Sequence, residues 1–173
     1  LSAQDHLEAQ AWWHQQLGEV SQPTPIATGL PVESGATGHR EQIVSFDSHL
    51  TAELSRMARH HKVTVNNLIQ LAWSYLLSCY SGEPVVVFGA VVSGRPAEVA
   101  GVEQMIGLFI NTIPVKVDFT DAPSLADLLS GLQQDMVIGS DNGFLPLAQI
   151  QQQSGIHSHT GLFDSLLVFE NYP

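Results

Sequence analysis

A mixed α/β layer, with one sheet flanked by helices, is the fold class predicted for this chain of 173 residues. Three observations lead to it. Long segments carry apolar residues at helical spacing, and short β-branched runs lie between them. Glycine and proline punctuate the joints. The resulting order, α-β-α-α-β-β-α-α-β, has no internal repeat and no strict βαβ alternation, so the sheet is mixed rather than purely parallel.

The elements follow in order. Residues 3 to 17 form a helix, with Leu7, Ala11 and Trp12 at helical spacing. Residues 18 to 40 are an extended connection, because "SQPTPIATGLPVESGATGHR" carries three prolines and three glycines. "EQIVSF" (41–46) alternates as a strand does. Ser48 is the expected N-cap of a helix with Leu50, Leu54, Met57, Ala58 and His61 along one face. Thr64 caps the next helix. In it Asn66, Gln70, Ser74 and Ser78 form a thin polar stripe on an otherwise apolar surface, so burial on most sides is expected. Gly82 ends that helix as C′ glycines do.

"PVVVFGAVV" (84–92) is a β-branched run, the signature of a strand covered on both faces. "SGRPAEVAGVEQMI" is a loop. After it Ile113, Val115 and Val117 alternate with Pro114, Lys116 and Asp118, and the proline places this strand at an edge or bulge. Ser124 and Asp127 have capping-box spacing. Leu125, Leu128, Leu129, Leu132 and Met136 then make an amphipathic helix. A short helix starts at Pro146, and "FDSLLVFEN" (163–171) closes the chain as a strand.

Composition narrows the function. Hydrophobic residues make up 44%, which is enough for a packed core. Charged residues make up only 13%, against about 25% in ordinary soluble domains. This shortfall predicts that further protein covers part of the surface. A net charge of −11 with six basic residues argues against binding nucleic acid or an anionic membrane. The single cysteine, Cys79, forbids an internal disulfide and fits a reducing, cytoplasmic setting. The longest apolar run is too short to span a bilayer, and no basic-then-apolar leader stands at Leu1. The chain does not begin with Met, so an excised piece is expected.

No complete catalytic machine is legible. His60–His61 offers a general base, or else a cationic helix end suited to the dipole. His157 and His159 form an H-x-H without the further ligands a zinc site needs. Cys79 lies on an apolar helix and is expected to be a buried, inert thiol. The carboxylates are scattered, and neither a phosphate-binding glycine loop nor a nucleophile elbow is present. Arg56, Arg59 and Lys62 recur every three residues and hold half of all the basic side chains. They form either a solvated face or a docking patch for an acidic partner. "SGRP" (93–96) and "GLFINT" (107–112) lie at strand ends, where turn chemistry alone accounts for small and polar residues.

Taken together, "TVNNLIQLAWSYLLSCYSGE", "VVVFGAVVSGRPAEVAGVEQMIGLFINTIPVKV" and "LFDSLLVFENYP" resemble the condensation domains of nonribosomal peptide synthetases. "AQAWWHQQL" and "PLAQIQQQSG" fit the same order, and the pairing of "SGRP" with "IGLFINT" is the specific part. The resemblance implies the chloramphenicol-acetyltransferase-like fold of two lobes around a channel. Residues 1–173 match the C-terminal lobe. The implied reaction is peptide-bond formation between thioesters on carrier proteins.

The family's H-H-x-x-x-D-G motif is absent, since "HHKVTVN" has Val65 and Asn66 where Asp and Gly stand in the motif. The fragment alone is therefore expected to be inactive. Ser93, Arg95, Asn111 and Thr112 are implied channel-lining residues, and Arg56, Arg59 and Lys62 an implied carrier docking surface. The chain itself is expected to bind no cofactor or metal. Phosphopantetheine would arrive on the carrier protein. The implied partners are the N-terminal lobe, a peptidyl carrier protein and the adjacent adenylation domain. Two departures concern the subtype: "DNGFLPLAQ" replaces an H-Q-D-like motif, and "IHSHTGLFDS" replaces an Arg-rich one. An epimerisation domain and a non-catalytic recruitment module are the alternatives.

Overall fold

The computed structural model describes residues 3–26, 41–93, 101–107, 109–156 and 161–170. Residues 27–40 of the connection, Arg95 with the rest of "GRP", and the histidines at 157 and 159 lie outside the described residues. The elements are α1 (Ala3–Leu17), α2 (Ser48–His61), α3 (Val65–Ser81), β1 (Val85–Ser93), a 3-10 turn (Val102–Gln104), β2 (Ile110–Asp118), α4 (Leu125–Asp141), α5 (Leu147–Gln151) and β3 (Leu166–Leu167).

The sheet has the order β2-β1-β3. β1 pairs antiparallel with β2 from Val85↔Asp118 to Ser93↔Ile110, and parallel with β3 at Gly89↔Leu166 and Ala90↔Leu167. The mixed sheet expected from the element order is therefore present. β2 is an edge strand, which is how it tolerates Pro114: a residue without an N–H can stand where no ladder partner is asked of it.

Side chains alternate across a strand, so β1 feeds two cores. On one face Val86, Phe88 and Ala90 join Val115 and Val117 of β2 against Ala58 of α2, Leu68, Leu71 and Leu77 of α3, and Leu129 and Leu132 of α4. On the other face Val87 packs with Ala9, Trp13 and Leu17 of α1, with Leu145 and Ile150, and with Ile156 and Leu162. Val86 and Phe88 are fully buried and Val87 nearly so, which is the two-sided cover predicted for this run. Ile113, although in register with Ala90, belongs to the second cluster. It lies beneath Gly139 and Gly143, where a Cβ would come within 3.4 and 3.1 Å of its side chain.

Helix boundaries follow local chemistry. The hydroxyl of Thr64 accepts from the Asn67 N–H, and the Asn67 side chain accepts from the Thr64 N–H, closing a reciprocal capping box. Gly82 ends α3 with φ 77°, in the left-handed region. Ser124 caps α4 by accepting from Asp127 N–H. Pro146 precedes α5 as expected.

Five expectations are corrected. The N-cap of α2 is Asp47, not Ser48: its carboxylate accepts from Leu50 N–H at 2.7 Å, and a charged acceptor at the positive helix end is the stronger cap. Residues 41–46 form no strand. Their alternation is real, but no described strand pairs with them, and Ile43 and Val44 stay exposed. The closing strand is only Leu166–Leu167, because β1 offers it just those two partners. α3 is not covered on most sides. α2, α4 and the sheet bury one face, leaving Ala72, Tyr75, Leu76, Cys79 and Tyr80 exposed. Cys79 is therefore an exposed thiol and not a buried one.

Candidate functional site

The sheet ends where β1 and β2 leave the ladder at Ser93↔Ile110. The backbones of the sequence-predicted residues Ser93, Asn111 and Thr112 fall within the last three ladder pairs. Asn111 stands opposite Val92 and Thr112 opposite Val91. The chain between the strands includes the turn Val102–Gln104 and a fully exposed Ile106. Arg95 lies outside the described residues.

The polar side chain of Asn111 has two partners. Its amide nitrogen donates to the carbonyl of Gly143, and its amide oxygen accepts from Thr112 N–H at 2.8 Å. Gly143 belongs to the turn between α4 and α5. The preceding carbonyl, that of Asn142, accepts from the indole N–H of Trp13 on α1 at 3.2 Å. Two successive turn carbonyls are thus held by side chains from two distant elements. The turn is fixed from within as well: Asn142 donates from its side chain to Ile138 O at 3.0 Å, and Gly143 N–H donates to Ser140 O at 3.1 Å. Sequence reasoning missed Trp13, Asn142 and Gly143 as part of this constellation. The signals available were the Trp12–Trp13 pair and the turn-forming "DNG" (141–143), and neither states a long-range partner.

The basic stripe is on α2. Arg56 forms an ion pair with Glu53 at 2.6 Å. That hydrogen-bonded pairing holds Glu53 below the ordinary carboxylate range and raises Arg56. Arg59 is exposed one turn further on. Lys62 lies past the helix end as its left-handed C-cap, φ 57°, with its N–H on the carbonyls of Ala58 and Arg59. Leu50, Glu53, Leu54, Arg56, Met57 and His60 line an open groove of about 250 Å³ on the same helix. His60 and His61 close the helix, their rings edge-to-face at 5.0 Å. This is the helix-end placement: the two histidines are the last residues of α2.

A second polar spot lies between β2 and α4. Asp135 is half-buried and shares a groove with Lys116, and Gln16 of α1 donates to Asp135 Oδ1 at 3.4 Å. Burial pushes the Asp135 carboxyl up, and the Lys116 charge only partly opposes it. Among the described residues no group of three or more His, Cys, Asp or Glu is placed to hold a metal ion. Among them too, no helix is long and apolar enough to cross a membrane.

The condensation-domain family model matches residues 1–173. A linear gramicidin synthase from Brevibacillus parabrevis is 40% identical over 176 residues, and surfactin synthase subunit 2 of Bacillus subtilis (strain 168) is 39% identical over 173. Both alignments cover 100% of this chain, but it spans only 2% and 5% of those proteins. These relatives are nonribosomal peptide synthetases. Among solved structures, the X-domain from teicoplanin biosynthesis matches with a TM-score of 0.70 at 19% identity, covering 93% of this chain and 36% of that one. A starter condensation domain of rhizomide synthetase matches with a TM-score of 0.65 at 18% identity, covering 96% and 36%. These two share the fold: a mixed sheet with flanking helices, in the chloramphenicol-acetyltransferase-like architecture of condensation domains. The chain belongs to the condensation-domain family.

Proposed function

We propose that this chain is the C-terminal lobe of a condensation domain that joins two carrier-bound thioesters through a peptide bond. In the reaction an amine on one phosphopantetheine arm attacks the thioester carbonyl on another. The C–N bond forms as the C–S bond breaks, and the departing thiolate takes up a proton. The active-site histidine of the H-H-x-x-x-D-G motif would stand on the other lobe. This lobe supplies a wall of the channel, the segment 93–109 between β1 and β2, and a carrier docking surface on α2. The reaction takes place in the cytoplasm, next to an adenylation domain that loads the carrier.

The observation that carries this reading is the family match over the whole chain, combined with a sheet end that gathers Ser93, Asn111 and Thr112. Ser93, Arg95, Asn111 and Thr112 are assigned to the channel side, and Arg56, Arg59 and Lys62 to docking. The chain's low charged fraction fits a surface that the partner lobe covers.

The test is reconstitution of the domain containing this lobe with two carrier proteins loaded with aminoacyl thioesters. Dipeptidyl product on the acceptor carrier, detected by intact-protein mass spectrometry and lost on replacing the H-H-x-x-x-D-G histidine, is the expected result. Inversion of the donor Cα without condensation would replace this reading with epimerisation. Stable capture of a tailoring enzyme with no turnover would replace it with recruitment.

A further inference from the structure

We infer that Asn111 is a positioning residue whose amide clamps the entry of β2 to the α4–α5 turn, and that it does not contact substrate. Its consequence for rate rests on the function proposed above; the clamp itself does not.

Three observations carry the inference. First, the amide is engaged at both ends, with its nitrogen on Gly143 O and its oxygen on Thr112 N–H. With one N–H on Gly143 O and the oxygen on Thr112 N–H, the plane of the amide is set by the turn and by the strand, so the turn orients this side chain. Second, the clamp is doubled: Trp13 donates to the neighbouring carbonyl of Asn142, and Trp13 is only 1% exposed, so the turn is anchored to the second core. Third, the turn fits against β2 with no spare room. Gly143 is buried, and a Cβ there would stand 3.1 Å from Ile113 Cγ2 and 3.1 Å from Ser140 O.

The clamp acts one residue from the last ladder pair, Ser93↔Ile110. Beyond that pair both strands run into the segment between β1 and β2. Fixing Asn111 therefore fixes where the chain re-enters the sheet as β2. Reaction needs its groups held in register, and small misplacements of the channel wall at this sheet end would cost rate steeply. Asn111 is in this sense the pin at the head of β2, set by the turn and by Trp13 behind it.

The experiment uses the whole condensation domain with three variants, Asn111→Ala, Trp13→Phe and the double variant, followed by amide hydrogen exchange and by the dipeptide assay. Trp13→Phe keeps an aromatic ring in the core but removes the indole donor together with part of the ring system, and it lies on another element. The expected result is about tenfold faster exchange at the Asn142 and Gly143 N–H groups in both single variants, the size of one lost hydrogen bond. Both should also lower the condensation rate, and the double variant should fall short of the product of the two effects, as coupled sites do. Unchanged turn exchange in Asn111→Ala, with a lowered rate, would overturn the clamp in favour of direct substrate contact. A rate left untouched by Trp13→Phe while exchange rises would also overturn the positioning role. If Asn111→Ala does not fold, Asn111→Asp replaces it. Its carboxylate repels Gly143 O, and its protonated form donates, so turn protection should return as pH falls. Failure of the unaltered domain to form dipeptide would remove the proposed function and leave the exchange result standing.

Discussion

Phe163 occupies the space that a side chain at Gly89 would need: a Cβ built there lies 2.5 Å from the ring's Cε2 and 2.6 Å from its Cζ. Gly89 is at the centre of the sheet, between Pro114 on β2 and Leu166 on β3. Its N–H donates to Ser165 O at 2.9 Å, the bond that begins the parallel pairing. Gly89→Ala should therefore lower stability by about 1–3 kcal/mol, the usual range for overpacking. Urea unfolding measures it. Phe163→Leu added to Gly89→Ala should recover part of the loss, and no recovery would mean that the ring is not what excludes the methyl group.

Thr64 and Asn67 cap α3 reciprocally, and Asn67 is 3% exposed. Thr64→Ala removes one acceptor and leaves the Asn67 N–H without its cap. A loss of about 1–2 kcal/mol is expected, with thermal unfolding as the measurement. Thr64→Ser keeps the oxygen and should lose less than half as much.

Reversing Arg56, Arg59 and Lys62 to Glu should weaken binding of an acidic carrier protein. The difference from the unaltered domain should shrink as salt rises, because exposed charges are screened. Arg59→Glu should matter more than Arg56→Glu, since Arg56 is already paired with Glu53. Titration calorimetry at two ionic strengths decides it. Equal affinity at low salt returns α2 to ordinary solvated surface.

Two carboxylates give opposite pH signatures. Asp135 is raised by burial, so the folded state holds its proton more tightly than the unfolded chain does. Its ionised form costs stability at neutral pH, and that cost disappears as pH falls through its folded pKa. Asp135→Asn should stabilise the fold at pH 7 by less than about 1 kcal/mol, because half of the group remains in water. Asp118 is lowered, first by its hydrogen bond with Thr120. Its contribution is present above the unfolded pKa and is lost as pH falls through the folded one. Asp118→Asn should therefore weaken the fold at pH 7 and flatten acid unfolding, and a matched pair of pH–stability curves checks both signs.

Much of the fold is legible where the signal is local. Thr64, Gly82, Ser124 and Pro146 mark helix ends through chemistry that acts within a few residues, and the β-branched run 85–92 names its own two-sided burial. Pro114 restricts β2 to an edge or a bulge, and the strand order β2-β1-β3 decides for the edge. The features that escape such reading depend on neighbours. "EQIVSF" has the period of a strand, but a ladder needs a second strand, and period alone does not supply one. Cys79 sits among apolar residues along the chain, but its face of α3 points away from both the sheet and the flanking helices. At the candidate site the motif draws attention to Asn111, and its partner, the carbonyl of Gly143 thirty-two positions on, carries no side-chain signature at all.

The short parallel pairing of β3 has a consequence for biosynthesis. Leu166 and Leu167 reach the central strand only after α4 and α5 have been made, and their partners Gly89 and Ala90 emerge from the ribosome far earlier. A growing chain thus carries a two-stranded ribbon with one flank of β1 uncovered until β3 is made. Closing that gap brings together segments distant along the chain, a slow step by loop-closure entropy. Ribosome-stalled chains ending before Ser165 should accordingly remain protease-sensitive along β1, and chains extended far enough past Phe169 for β3 to clear the ribosome should become resistant.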